Sequence, residues 1–516
     1  MRNEKLGMNN FYDKQEQNIF HSFLYSHYSL LVTKYLKYMK AYKTILFITA
    51  VFTMMGLIGY AIPTDGVTVG SVNMTFPSPQ EVMQGQVEYS DKPLVDMDQV
   101  FFGKEAILRQ IEEAQASEYI KMRRKTLSHK YSPTYPNDSI EWIFPLFEAL
   151  ENAHEHKVRI IHYGDSQIEE DRMSNYLRSA VQNTFGGYGV GLLPAVQTIP
   201  TSSFGQKCSA SLTRYLVYGT QDMRMEERNY GPLGQTALLT DTATFSFYRL
   251  NYSKTRPNTK YFNKITILLD EIKRPITATL TTKGSKMTKT ANIGDHSITF
   301  NLPDSSTRAS IFMNGKALIH GFMVDGGKTG VQLDNGAMRG CSGTIFTSIN
   351  SESLRNYYTQ NSVPLIIMQF GGNRVPYTKT DKAIASYCEQ LTRQISYLRR
   401  ISPNSKILFI GPSDMSTNIN GTMQTYPHLP KLIDSLRQMC INNDVAYWDL
   451  YGAMGGENSM TNWVNSNPPL AGSDHIHFTY AGSNRASEML WEGLMKAYEL
   501  YKMSTVNSQQ TTANGL

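Results

Sequence analysis

The apolar positions of this chain change period along its length, and the changes divide it. Residues 140–154 carry apolar side chains at helical spacing, and Val158-Arg-Ile-Ile-His-Tyr163 follows as a short β-branched run ending at Gly164-Asp165-Ser166. Residues 172–185 return to an amphipathic helical pattern, so the predicted order is strand, tight turn, helix. Gly186-Gly-Tyr-Gly-Val-Gly191 then reads as a glycine-rich loop; no phosphate-binding fingerprint places glycines in this order, so it is a turn rather than a nucleotide site. Between about residues 202 and 334, short stretches at 244–252, 264–269, 276–282, 297–302 and 309–313 alternate with polar turns, the pattern of a β-sandwich. Afterwards strands at 364–370, 406–411 and 446–450 alternate with helices at 380–399, 429–442 and 481–501. The expected fold class is α/β: a doubly wound parallel sheet interrupted by an inserted β-sandwich, with ligand sites beyond the carboxyl ends of the parallel strands.

A different pattern precedes these elements. Residues 44–64 contain no charged side chain, close to the ~20 residues that cross a bilayer. Lys34, Lys37, Lys40 and Lys43 stand before this run and the first acidic residue after it is Asp65, which orients an anchor with its N-terminus in the cytoplasm and the rest of the chain outside. The same residues also read as a cleavable signal peptide starting at Met39 and ending at Gly59-Tyr-Ala61. An inner-membrane anchor with the folded part in the periplasm is the favoured expectation, and a periplasmic protein with a cleaved signal is the alternative. The Pro, Gly, Ser and Met content of residues 65–100 suits an extended linker.

With 516 residues, 41% of them hydrophobic, the chain is long enough for more than one core. Lys and Arg number 50 against 44 Asp and Glu, and much of the excess precedes residue 45. The remainder offers no basic face for phosphates, so no nucleic-acid partner is expected. Cys208, Cys341, Cys388 and Cys440 have neither zinc-site spacing nor the density of a disulfide scaffold and read as free or core thiols. No metal and no cofactor are expected, since His428 and His475 lack partners at ligand spacing.

The candidate chemistry sits at strand ends. A serine hydroxyl is a weak nucleophile unless a base takes its proton, and that base needs a carboxylate to orient it. Ser166, His477 and Asp474 are suited to these three roles. The backbone N–H of Ser166, that of Gly343 and the Asn373 side chain are candidate oxyanion donors. Each motif alone is weak: Gly-Asp-Ser is often an N-cap and Gly-Gly-Asn a turn. Their order and placement carry the reading.

In that order the chain resembles the SGNH (GDSL-type) hydrolase superfamily. The first block matches Gly164-Asp165-Ser166, which makes Ser166 the nucleophile and gives Asp165 a structural role in the turn. The second matches Arg339-Gly-Cys-Ser-Gly343, with Gly340 as the other register. The third is Phe370-Gly-Gly-Asn373, with Arg374 where many relatives have Asp, and the last is Asp474-His-Ile-His477, making His477 rather than His475 the base. No Gly-x-Ser-x-Gly elbow surrounds Ser166, which argues against an α/β-hydrolase. A β-rich insert between the first two blocks is similar to the arrangement in bacterial peptidoglycan O-acetylesterases, where the insert resembles a carbohydrate-binding module.

The resemblance implies an exported serine esterase that removes O-acetyl groups from a cell-envelope polysaccharide or peptidoglycan through an acyl-Ser166 intermediate. An O-acetyltransferase with the same triad and a non-catalytic glycan-binding protein are the alternatives. The expected organisation is a cytoplasmic segment at 1–43, the anchor or signal at 44–64, a linker and helical extension at 65–135, catalytic segments at 136–200 and 335–505 flanking the insert at 201–334, and a flexible tail at 506–516. His162 reads as a strand-end histidine bonded to its surroundings, and Glu169, Glu170 and Asp171 as helix N-terminal charges. Ser413 is a rival nucleophile without an Asp-x-x-His of its own, and Phe245, Phe247, Tyr248 and Tyr252 read as sandwich core rather than a sugar platform.

Overall fold

The computed structural model describes residues 41–61, 67–69, 72–74, 97–202, 204–250 and 256–513. The chain divides into two compact units, residues 1–108 and 109–516. In the first, a helix spans Ala41–Ala61, and its described side chains Leu46, Phe47, Phe52, Leu57 and Tyr60 are exposed. Among the described residues no helix is long and apolar enough to cross a membrane; several side chains of Ala41–Ala61 lie outside the described set. The segment expected to be cytoplasmic and most of the expected linker also lie outside the described residues.

The second unit is built on a five-stranded sheet whose strands, numbered here in chain order, are β1 (Lys157–Gly164), β2 (Gly330–Ala337), β3 (Ser362–Gln369), β4 (Lys406–Ile410) and β5 (Ala446–Trp448). All are parallel, in the spatial order β2-β1-β3-β4-β5. Because side chains alternate along a strand, each contributes to two cores. Ile161, Tyr163, Ile366, Met368 and Phe409 pack with the helices Asp381–Ile401 and Leu429–Asn442. Val158, Ile160, Leu365, Ile367 and Leu408 pack with Arg172–Phe185 and Tyr480–Ala513. Helices on both faces of a parallel sheet make this a doubly wound fold. The outer edge of β5 is covered by Thr134, whose N–H and C=O bond Tyr447 at 2.8 and 2.9 Å.

The insert closes over a core of its own, as expected of a sandwich: Phe245 and Phe247, on the strand Thr242–Arg249 beside the first half of Arg308–Gly326, pack against Phe322 in its second half. Its strands form a single antiparallel nine-stranded sheet, held together by two long strands, Phe262–Thr281 and Arg308–Gly326, which pair with one another through several register shifts. Burial along Arg308–Gly326 explains the arrangement: the first half alternates exposed and buried, while the second half is buried on both faces. There Phe322 and Val324 face the insert's own core, and Met323 joins the core containing Ile161 and Tyr163. The insert therefore lies on the catalytic sheet as a shared layer.

The glycine-rich segment read as a loop is a strand, Tyr188–Leu193, paired with Arg308–Gly326. Its glycines serve close approach: a Cβ on Gly191, whose φ is +85°, would stand 2.3 Å from the Asp334 carboxylate. That carboxylate accepts the Leu192 N–H at 2.8 Å. This strand of the insert's sheet falls before the boundary expected at residue 201, and the boundary at 334/335 falls inside β2, a strand of the parallel sheet.

Candidate active site

β1, β3 and β4 end together, and the loops leaving them form a cleft of about 220 Å³ lined by Ser166, Gln167, Asn373, Tyr377, Met415 and His477 among others. Ser166 follows β1 by two residues. Its Oγ lies 2.8 Å from Nε2 of His477, and Nδ1 of the same ring lies 2.7 Å from Oδ2 of Asp474. The carboxylate can only accept, so Nδ1 carries the proton and Nε2 is left to accept from Ser166. Asp474 also accepts the N–H groups of Ile476 and His477, each at 3.0 Å. Burial would raise the Asp474 carboxyl, but the His477 ring and these N–H donors hold it below its usual range. Three residues from segments about 310 positions apart thus form one hydrogen-bonded chain at the mouth of the cleft.

Asp165 lies under the turn. It accepts the N–H of Gln167 at 3.0 Å and the Asn373 side-chain amide at 3.1 Å, and burial pushes its carboxyl up to about 6 against those donors. The other hydrogen of the same Asn373 amide is directed at the Cys341 carbonyl, 3.1 Å away. Asn373 lines the cleft, yet both its N–H groups are engaged. Gly343 is placed differently. It is buried outside the cleft lining, its N–H points at Cys341 Sγ at 3.3 Å, and its backbone at φ +78° lets the Phe370 ring pack where a Cβ would come within 2.7 Å. Gly340, the other register, is exposed with open space around it and is likewise outside that lining.

Two residues that sequence reasoning passed over hold the site together. Gln167 donates from Nε2 to the Ile476 carbonyl at 2.6 Å and accepts the Phe478 N–H at 3.2 Å, bracketing His477 from both sides. Arg172 donates to the carbonyls of Ser166 and Phe478 at 3.0 and 2.9 Å. Both lie in the stretch following Gly164-Asp165-Ser166, but their partners are backbone carbonyls and an N–H of a distant loop, for which a sequence gives no sign.

The residues set aside are found in supporting places. His162 is buried, with Nε2 3.0 Å from Gln369 Oε1 and Nδ1 3.0 Å from Ser174 Oγ, and burial takes its imidazole down to about 4. Glu169 pairs with Arg339 and Asp171 with buried Arg178, so these carboxylates are held by cations rather than by the helix terminus. Ser413 lines the cleft but has no hydrogen bond to a histidine among the described residues. The four cysteines are free thiols, and no group of three or more metal-ligating side chains is present among the described residues. Phe245 and Phe247 are fully buried against Phe322 in the insert's core, and Tyr252 lies outside the described residues.

No protein-family model matches the chain. No curated protein matches it in sequence either. Among solved structures, a peptidoglycan O-acetylesterase is similar at 19% identity with a TM-score of 0.57, over 72% of this chain and 99% of that one. A carbohydrate esterase family 2 enzyme with a carbohydrate-binding domain from Corynascus thermopiles (Myceliophthora fergusii) matches at 10% identity and TM-score 0.26, over 52% and 98% of the two chains. A family two carbohydrate esterase from Cellvibrio japonicus matches at 10% and 0.21, over 58% and 99%. The first of these establishes a shared fold; the other two superpose too little to add to it. In that fold, and in the order of the segments its strand ends bring together, the chain resembles the SGNH (GDSL-type) hydrolases.

Proposed function

We propose that the chain is an exported serine esterase that removes O-acetyl groups from a cell-envelope polysaccharide, with peptidoglycan as its substrate. The observation that carries this reading is the Ser166–His477–Asp474 chain, with contacts of 2.8 and 2.7 Å, at the mouth of a cleft beyond the parallel strands. The fold is shared with a protein described as a peptidoglycan O-acetylesterase. The cleft rim presents Tyr377 with 71% of its surface exposed, an aromatic face of the kind that packs on a sugar ring.

In the proposed reaction Ser166 Oγ attacks the acetyl carbonyl carbon while its proton passes to Nε2 of His477, and Asp474 stabilises the resulting imidazolium. The carbonyl electron pair moves onto oxygen, where the Ser166 N–H and the Asn373 amide stabilise it; Asn373 gives up one of its two present acceptors to do so. Collapse expels the sugar oxygen, which takes the His477 proton, and leaves acetyl-Ser166. Water, deprotonated by His477, reverses the sequence and releases acetate. The His477 and Asp474 side chains are 39% and 48% exposed, so water reaches the acyl-enzyme readily, which favours hydrolysis over transfer to a second sugar.

The uncharged run at 44–64, preceded by Lys34, Lys37, Lys40 and Lys43, supports a membrane anchor that holds the esterase outside the inner membrane. The enzymatic reading is tested with Ser166→Ala, which should release no acetate from O-acetylated peptidoglycan while melting at the wild-type temperature. Retained release would overturn it. Fractionation of the native protein tests the anchor: recovery in the wash rather than in the membrane pellet would remove it.

A further inference from the structure

In the first half of Arg308–Gly326, alternate side chains turn away from the insert's core. Five strands lie side by side there, in the order Phe204–Cys208, Thr242–Arg249, Arg308–Gly326, Phe262–Thr281 and Lys286–Ala291. Because side chains alternate along each strand, the register fixes which of them share the outer face. Phe312 lies between Thr244 and Thr279, Lys207 and Lys286 each stand two strands out from Ser310, and Arg308 is opposite Tyr248. The remaining outward positions of 242–248, 277–281, 286–290 and 308–314 are Thr, Ser or Asn, so no carboxylate shares these rows with the three cations. None of the three is in an ion pair among the described residues, and the neighbouring Asp241 is paired with Arg274 at 3.1 Å. Tyr248, expected in the sandwich core, is on this face instead. Its ring covers Gly205 of the adjacent strand, where a Cβ would come within 2.3 Å of it, and the Arg308 guanidinium is 5.8 Å from the ring centre. Phe312 is 46% exposed and stands ~13 Å further along the strands, four residues at ~3.3 Å each.

Two rings on a broad sheet of hydroxyls, with cations and no carboxylate among them, complement a polymer that offers apolar ring faces, hydroxyls and negative charge together. From this we infer that the outer face of the insert binds an acidic polysaccharide, with sugar rings on Tyr248 and Phe312 and carboxylates on Lys207, Lys286 and Arg308. An anionic membrane would also meet the cations. Seating Phe312 in acyl chains, however, would bury the Thr244 and Thr279 hydroxyls beside it without partners, and the Tyr248 ring is held down against Gly205. The inference rests on the esterase reading for its meaning: the insert would hold the enzyme on carboxylate-bearing glycan while Ser166 acts on acetyl esters. None of these residues lines the Ser166 cleft, so the face engages the polymer and not the ester.

The test measures binding of the full chain to immobilised polygalacturonate and to its carboxyl-reduced derivative by biolayer interferometry. The acidic polymer should bind at least tenfold more tightly than the reduced one. Phe312→Ser, which changes no charge, should weaken binding about 2- to 10-fold, the effect of a lost ring contact. The double variant Lys207→Gln/Lys286→Gln should weaken it about tenfold or more, whereas Lys121→Gln/Lys125→Gln, which takes the same charge from exposed positions on the helix Met97–Leu127, should stay within about twofold of wild type. Melting temperatures equal to wild type show that the variants are folded. No binding, equal binding of the two polymers, an unchanged affinity in Phe312→Ser, or equal losses in the two double variants would overturn the inference. So would variants that lower partition onto phosphatidylglycerol vesicles while leaving polygalacturonate binding intact, since the face would then be a membrane contact. Binding involves no turnover, so a negative result here leaves acetate release by Ser166 standing, and absence of that release leaves a positive result standing.

Discussion

Gln167 makes a prediction that separates holding the base in place from merely lining the cleft. Replacing it with Ala removes the bond to the Ile476 carbonyl at 2.6 Å and the bond from the Phe478 N–H at 3.2 Å. Each neutral bond of this kind contributes about 1 kcal/mol net, so the His477 segment loses roughly 2 kcal/mol of docking onto the Ser166 loop, equivalent to about 30-fold in the docked population. Arg172 still bridges the carbonyls of Ser166 and Phe478 and limits the loss, so kcat should fall between about 5- and 30-fold. Hydrolysis of p-nitrophenyl acetate resolved into kcat and KM is the assay, with a urea melt to confirm folding. Gln167→Glu keeps the acceptor for Phe478 but sets a carboxylate oxygen against the Ile476 carbonyl, and should be at least as slow at neutral pH. An unchanged kcat with a raised KM would mean that Gln167 touches substrate and does not position the base, refuting the reasoning.

Other consequences follow from the same geometry. Asn373→Ala should lower kcat by ~100- to 1000-fold if its amide turns to the oxyanion, and a loss no larger than its effect on the melting temperature would make it a brace for Asp165 only. Asp474→Asn should lower kcat by ~100- to 10,000-fold on the same ester by offering the wrong partner to His477 Nδ1, and a loss under tenfold would remove Asp474 from the triad. Burial lifts the Asp165 carboxyl from 3.8 to about 6, so the folded state retains a proton that the unfolded state releases between those values. Asp165 therefore favours folding most below pH ~4, and stability falls by about 3 kcal/mol as pH rises through 6; the unfolding free energy of wild type minus Asp165→Asn should show that slope, and a flat difference from pH 4 to 7 would refute it. Gly343→Ala, at φ +78° against the Phe370 ring, should destabilise by about 1–3 kcal/mol, read as a lower melting temperature.

The parallel sheet was legible because its signal is local: Val158–Tyr163, Pro364–Phe370 and Lys406–Gly411 are apolar runs bounded by turn residues, and each forms a strand within about two residues of those limits. The helices Arg172–Phe185 and Leu429–Asn442 keep their expected ends for the same reason. Tyr188–Leu193 was hidden because alternating glycines suggest a turn, whereas here they admit the Asp334 carboxylate and the Gly326 backbone. The joining of Ser166 to His477 was legible as a pair of motifs. The Gln167 and Arg172 bonds were not, since backbone partners have no residue type. The motif order favours Gly343 with Gly340 as the other register, and packing against Phe370 accounts for why the former is glycine without calling on chemistry.

The insert is more than an appended binding module. Arg159 on β1 bonds both oxygens of Asp334 on β2 at 2.8 Å and also pairs with Asp325 on the insert's long strand, all three being buried, while Tyr357 donates to Asp334 at 2.6 Å. A buried cation shared by two carboxylates fixes geometry, because separating the layers would leave charges unpaired in a low-dielectric interior. With Met323 and Leu192 of the insert set in the same core as Tyr163 of β1, the two layers move as one body rather than as hinged domains. The Ser166 loop and the insert are therefore held in a fixed relation, and the Glu170 carbonyl, which accepts the Ser202 N–H at 3.2 Å, ties that loop to the segment leading into the insert's strands.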